Sequence, residues 1–152
     1  MKKSTILGNS TLSVNRIGLG CMGMSEFYGA FNEAESIITL HKAIDLGVNF
    51  FDTAPNYGLG TSELRLGKAL KAYDRDKFVV NTKFGHMDTG GTNYDSNGIR
   101  KSLEGSLKRL QMEYVDSLIF HNPPYAYLDG NKNDNYEILE KLKDEGKIKG
   151  YG

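Results

Sequence analysis

Asp52, Tyr57, Lys83 and His121 each stand at or just past the end of a predicted strand, and they bring together a carboxylate, a phenol, an ammonium and an imidazole. Singly, such residues have ordinary explanations: an Asp after a strand caps a turn, and a Tyr in a loop packs. Jointly they point to a site, because consecutive strand–helix units offer them to one rim. The chemistry that uses this combination is carbonyl reduction. Hydride transfer builds negative charge on the carbonyl oxygen, and a proton must arrive there. A free tyrosine has a pKa of about 10, and a neighbouring ammonium lowers it by favouring tyrosinate. Tyr57 is therefore the expected proton donor and Lys83 its tuner. Asp52 is the lysine's partner, and His121 a second donor that orients the substrate.

Strands alternating with helices must position these groups. Ser4–Leu7 and Thr11–Val14, around Gly8-Asn9-Ser10, read as a hairpin that precedes the main fold. Short strands are predicted over 16–20, 48–52, 78–83 and 114–121, with the start of a fifth over 148–152. Helices are predicted over 33–46, 61–73, 98–110 and 135–145. Their apolar stripes include Ile37, Leu40 and Ile44; Leu66, Ala69, Leu70 and Tyr73; and Ile99, Leu103, Leu107 and Leu110. Gly47 and Gly146 read as helix stops, and Ser62 as the N-cap of the second helix.

This alternation implies a parallel sheet with right-handed crossovers. Two architectures compete. A doubly wound sheet needs a glycine-rich phosphate loop running into a helix. Gly18-Leu19-Gly20-Cys21-Met22-Gly23 has the G-x-G-x-x-G spacing, but Met24–Asn32 reads as loop. A (β/α)8 barrel keeps its chemistry at the C-terminal ends of its strands, which is where the polar residues fall. The expected fold is therefore α/β of the parallel (β/α)8 TIM-barrel type. The 152 residues form one domain unit, the N-terminal half of such a barrel, since barrels typically run to about 250 residues. Half a barrel is expected to leave two strand edges and one apolar sheet face exposed. Self-association, or pairing with a C-terminal half, follows as an expectation.

Composition narrows the remaining classes. The 19 basic and 19 acidic residues balance, so no electrostatic argument favours nucleic acid or an anionic membrane as partner. No apolar run approaches the roughly 20 residues of a membrane span. The opening Met1–Ser10 lacks the apolar stretch of a secretory signal, and the single cysteine, Cys21, fits a reducing compartment. A cytoplasmic setting is expected.

Gly47–Ala54, Tyr57-Gly58, Ser62-Glu63, Leu66–Leu70, Thr82–Gly85, Ser106–Leu110, and Tyr114–Leu118 with Phe120-His121 resemble the signatures of the aldo-keto reductase family. Arg16–Ser25 and Gly146–Gly152 resemble its bacterial members. The resemblance spans almost the whole chain, and the family's tetrad falls on Asp52, Tyr57, Lys83 and His121. It implies reversible NADPH-dependent reduction of aldehydes and ketones, with the hairpin as a plug across the barrel bottom. Gly20, Cys21 and Met22 match positions that line the cofactor, and Asp52 lies near its nicotinamide ribose. The family builds most of its NADPH site from later strands and loops, so this chain alone is expected to be inactive or dependent on assembly.

Two other readings compete. A metal-dependent barrel hydrolase would use Asp52, His86 and His121 as ligands, but leaves Tyr57 and Lys83 without a role. A non-catalytic half-barrel module is admitted by the resemblance, because some relatives are ion-channel auxiliary subunits. Among the other polar residues, His86 and Asp88 read as a solvated loop pair, and His41 as a satisfied core histidine. Cys21 lacks an activating cation. Tyr125 and Tyr127 read as pocket wall or loop packing, and Lys141–Glu145 as a solvated helix face.

Overall fold

A computed structural model describes residues 4–29 and 32–152. The chain enters through an antiparallel hairpin, β1 (Ser4–Ile6) and β2 (Ser13–Asn15), with Thr5 opposite Val14. A parallel sheet follows: β3 (Leu19–Gly20), β4 (Phe50–Asp52), β5 (Val79–Phe84), β6 (Val115–Phe120) and β7 (Ile148–Tyr151). Four helices connect them: α1 (Glu33–Asp45), α2 (Thr61–Leu70), α3 (Ser96–Leu110) and α4 (Asn135–Asp144). The strands lie side by side in chain order, and each helix packs on the next. That order decides between the two architectures. A doubly wound sheet reverses direction at a switch point; this one never does, as in a (β/α)8 barrel. The fold is α/β, a partial barrel of four βα units and a fifth strand, preceded by a hairpin.

The core lies between helices and sheet. Leu40, Leu66, Leu70, Ile99, Leu103, Leu110, Leu118, Leu139, Leu142 and Ile148 are fully buried, each contributing on the order of 1.5–3 kcal/mol. Gly67 lets α2 approach the end of α3, for a Cβ there would stand 2.4 Å from the Leu110 carbonyl oxygen. Beneath the sheet, Leu12 and Val14 of the hairpin pack with Val79, against Leu7 and Phe50. Phe50 and Val79 open their strands, so the hairpin covers the end opposite the chemistry, as a plug would.

β5 shows how the sheet sorts its side chains, which alternate between faces with period two. Thr82 turns to the helices, where its hydroxyl donates to Glu63 Oε1 of α2 at 2.6 Å. Asn81 and Lys83 turn to the inner face, where both donate to Asp52. The inner face is therefore polar at mid-height, with Asp52, Asn81, Lys83 and Ser117. The expectation of an exposed apolar sheet face is met only in part, for Phe50 and Ile119 lie half-buried on the same face. Among the described residues, the exposed large apolar side chains, such as Ile38, Leu46, Leu59 and Tyr125, all lie outside β3–β7.

Several boundaries shift for local reasons. α2 is entered through Gly60 in the left-handed region, with φ 91, and no side chain caps it. Ser62 is not the cap. Its hydroxyl is buried, donating to Cys21 O at 2.8 Å and bonding Thr53 Oγ1 at 2.9 Å. α3 starts at Ser96 rather than Gly98, because Asp95 caps it by accepting from Gly98 N at 2.7 Å. α2 ends at Leu70, with Tyr73 beyond it meeting His41 edge-on, and the His41 ring bonds Ala69 O at 3.1 Å. Only the last two residues of the predicted first strand pair. The expected loop after Gly20 holds short 3-10 turns at Met22–Met24 and Glu26–Tyr28. Ala30 and Phe31 of that loop, and Met1–Lys3 of the opening segment, lie outside the described residues. Among the described residues, no helix is long and apolar enough to cross a membrane.

Candidate active site

The strand ends deliver the site. Asp52 closes β4, and its Oδ2 accepts from Lys83 Nζ at 2.7 Å while its Oδ1 accepts from Asn81 Nδ2 at 2.6 Å. Lys83 Nζ also donates to Thr53 O at 2.8 Å. The Lys83 side chain is 10% exposed and that of Asp52 is 34% exposed. The ammonium is thus enclosed by its acceptors, whereas the carboxylate still opens onto the inner face.

Tyr57 lies in the turn between β4 and α2, its amide donating to Ala54 O at 3.2 Å and its carbonyl accepting from Ser62 N at 3.2 Å. Its buried ring stands 4.9 Å, centroid to Nζ, from Lys83 and meets the His121 ring edge-on at 5.7 Å. The exposed Phe27 ring also meets it edge-on, at 6.4 Å. All four residues expected at one rim are therefore neighbours.

His121 continues β6 by one residue, its amide donating to Phe84 O at 2.9 Å. Its carbonyl accepts from the buried Tyr94 hydroxyl at 2.6 Å, which also reaches Asn122 O at 3.2 Å. Burial first, then the Lys83 ammonium and His86, push its imidazole down to about 4, against the pull of Asp52. A neutral imidazole has one N–H donor and one bare nitrogen. Among the described residues, Nδ1 is buried without a hydrogen-bond partner, so Nε2 is the nitrogen left to address a ligand.

His86 and Asp88 are not a solvated loop pair. The His86 ring packs, tilted, against that of His121 at 4.7 Å, and Asp88 pairs with Arg109. Arg109 also donates to the fully buried Glu63 at 2.7 Å, tying α3 to α2. Tyr127 packs on Tyr94 at 5.1 Å, while Tyr125 is 83% exposed. In the first-strand turn, Gly20 is exposed and Met22 half-buried, whereas the Cys21 side chain is wholly inside. Burial first, then the Asp52 charge, push the Cys21 thiol up to about 12, with Lys83 opposing. It stays protonated and inert.

The residue reading overlooked Asn81, Thr53 and Tyr94. Asn81 carried a signal, for it sits two residues before Lys83 on a strand and so shares its face. Tyr94 carried none, since its partner lies on another unit. The hydrolase reading loses its ligand set. Among the described residues, no group of three or more His, Cys, Asp or Glu side chains is placed to hold a metal ion.

Comparison with known proteins bears on family and fold. The model of the Aldo/keto reductase family matches residues 16–152. An L-galactose dehydrogenase of Arabidopsis thaliana is 39% identical over 148 residues, 96% of this chain and 46% of that protein. A D-threo-aldose 1-dehydrogenase of a Pseudomonas species is 32% identical, over 93% of this chain and 50% of that protein. The holo form of the aldo-keto reductase AKR11C1 from Bacillus halodurans superposes with a TM-score of 0.86 at 32% identity, over 99% of this chain and 49% of that one. The chain spans about half the length of these relatives.

Proposed function

The chain belongs to the aldo/keto reductase family, and from that premise we propose that it carries the proton-transfer side of a reversible, NADPH-dependent reduction of aldehydes and ketones. The observation that supports this best is the enclosed ammonium of Lys83, held by Asp52 at 2.7 Å and set 4.9 Å from the Tyr57 ring. In this reading the Tyr57 hydroxyl gives its proton to the carbonyl oxygen as charge develops there. Lys83 stabilises the tyrosinate left behind, and Asp52 and Thr53 O hold the ammonium in place. His121 is a poor candidate for the acid. With its imidazole pushed down to about 4, it is neutral near pH 7 and suits a hydrogen-bond donor that orients the carbonyl.

When bound, the nicotinamide cofactor supplies the hydride. The residues of this chain that would hold it are Gly20, Cys21, Met22 and Asp52. They fit its nicotinamide end: space is open where a Gly20 Cβ would stand, and the Asp52 carboxylate is reachable for hydroxyl donors. Cys21 would contribute through backbone alone. The reading carries with it a small carbonyl substrate, no nucleic-acid or membrane partner and a cytoplasmic setting. It also carries self-association or pairing with a C-terminal half, on which turnover by this chain would depend.

Both named relatives are sugar dehydrogenases by name, which is the same chemistry in reverse. L-galactose with NADP+ and 4-nitrobenzaldehyde with NADPH are therefore the two probes, followed by nicotinamide absorbance. In a full-length parent that carries the C-terminal half, Tyr57→Phe is expected to remove most turnover, by about 100-fold or more, while NADPH binding by fluorescence is preserved. Unchanged turnover in that variant would refute the donor role.

A further inference from the structure

Asp52 has two acceptor oxygens, and the site fills them with different partners. Lys83 takes Oδ2 at 2.7 Å and Asn81 takes Oδ1 at 2.6 Å. A carboxylate only accepts, so the Asn81 amide must present its NH2 there. Register explains the contact: Asn81 lies directly opposite Asp52 on the next strand, and Lys83 follows two residues later on the same face. Asn81 is 4% exposed, so bulk water does not substitute for its amide. Its backbone is fixed too, since Asn81 O accepts from Thr53 N at 2.9 Å. Thr53 in turn offers the second acceptor for Lys83. One residue therefore braces both groups that hold the ammonium.

We propose that Asn81 is a positioning residue of the proton-transfer site: its amide locks the Asp52 carboxylate so that one oxygen faces Lys83, and so fixes the ammonium against Tyr57. The consequence for turnover rests on Tyr57 being the donor, whereas the consequence for Lys83 does not. Without the amide, the carboxylate is free to turn about its Cβ–Cγ bond and the lysine to follow it.

Two variants separate this from a merely structural polar residue. Asn81→Leu removes the donor at similar volume. Asn81→Asp keeps a donor only while the new carboxyl and Asp52 share a proton, as closely spaced carboxyls do. The groups around that pair are Lys83 from β5, Tyr57 from the β4–α2 turn, His121 from the end of β6 and the protonated Cys21 thiol that follows β3. Two readouts apply: exchange of the Lys83 ammonium protons by 15N NMR, and turnover of 4-nitrobenzaldehyde with NADPH across pH. In Asn81→Leu, exchange is expected to quicken about tenfold and kcat to fall about 10- to 100-fold, the scale of a hydrogen bond to a charged group. KM is expected to stay within about twofold. Asn81→Asp should match the parent at acid pH and fall towards the leucine variant as the shared proton leaves. Parent-like ammonium exchange in Asn81→Leu overturns the proposal, as does a profile for Asn81→Asp parallel to the parent's. Should the parent itself not turn over, as expected of the chain without a C-terminal half, ammonium exchange alone decides the role of Asn81. Should the leucine variant not fold, ammonium exchange in Asn81→Asp at low and high pH decides it alone.

Discussion

His121 stays neutral over a pH range in which a free imidazole would take up a proton. Burial and the neighbouring Lys83 ammonium push its imidazole from the ordinary 6.5 down to about 4. The unfolded chain therefore takes up a proton that the folded chain refuses, over the interval between those values. Its contribution to stability is intact above the unfolded value and is lost as pH falls towards the folded one. The carboxylates that ion pairs or hydrogen bonds hold low, Glu33, Asp74, Asp129, Glu140 and Glu145, titrate below their ordinary 3.8 or 4.5. The upper part of the interval is thus left to His121 among the groups with such shifts. Urea midpoints measured from pH 7 to pH 5 should decline, and His121→Asn should flatten that decline. Parallel curves for parent and variant would show that another group is responsible.

At the scale of elements, α2, β5 and α3 are joined by one buried carboxylate. Glu63 is fully buried, accepting from Thr82 at 2.6 Å and from Arg109 at 2.7 Å. Arg109 continues to Asp88 in the β5–α3 loop, the segment that also carries His86. Removing one partner of a buried pair leaves an uncompensated charge, which costs about 3–5 kcal/mol. Arg109→Met is expected to lose that much in urea denaturation, and Glu63→Gln added to it should recover a large part. A loss under about 1 kcal/mol would mean that solvent already reaches the pair. This joint also shows what the sequence could and could not disclose. The nearness of Asp52, Tyr57, Lys83 and His121 was legible because each lies at or just past the end of a strand with a strong apolar signature, and strand ends in a barrel share a rim. Glu63 and Arg109 were not, because 46 positions separate them and no periodicity links the two helices. Ser62 was misread as a cap because the rule for helix starts is local. Its hydroxyl is engaged instead by Thr53 and Cys21, which only the folded chain brings near. The polar inner face was legible in principle, from Asn81 and Lys83 alternating with Val80 and Thr82, yet the overall apolarity of the strands hid it.

For the whole molecule, the polar inner face changes which surface would drive association. An apolar face would cluster without register. The structure presents instead two sheet edges, β3 and β7, each paired on one side only among the described residues. β3 is two residues long and offers little. β7 offers more. Gly152 accepts from Phe120 N at 2.9 Å and donates to Leu118 O at 3.2 Å. In a parallel ladder alternate residues bond to the same side, so Gly150 also faces β6, and Lys149 and Tyr151 turn their amides outward. Such an edge pairs with another strand unless it is blunted. The chain is therefore expected to associate through β7, either with itself or with an added C-terminal half. Lys149→Pro removes an outward N–H without breaking a bond to β6. It also removes the ammonium from Asp116, which keeps Arg75 at 2.6 Å and Val80 N at 2.9 Å, so the sheet should survive. Light scattering should show the variant shifted to monomer at concentrations where the parent associates, with circular dichroism unchanged. An unaltered mass distribution would move the interface to the exposed apolar side chains of the helix layer, Ile38 and Leu64.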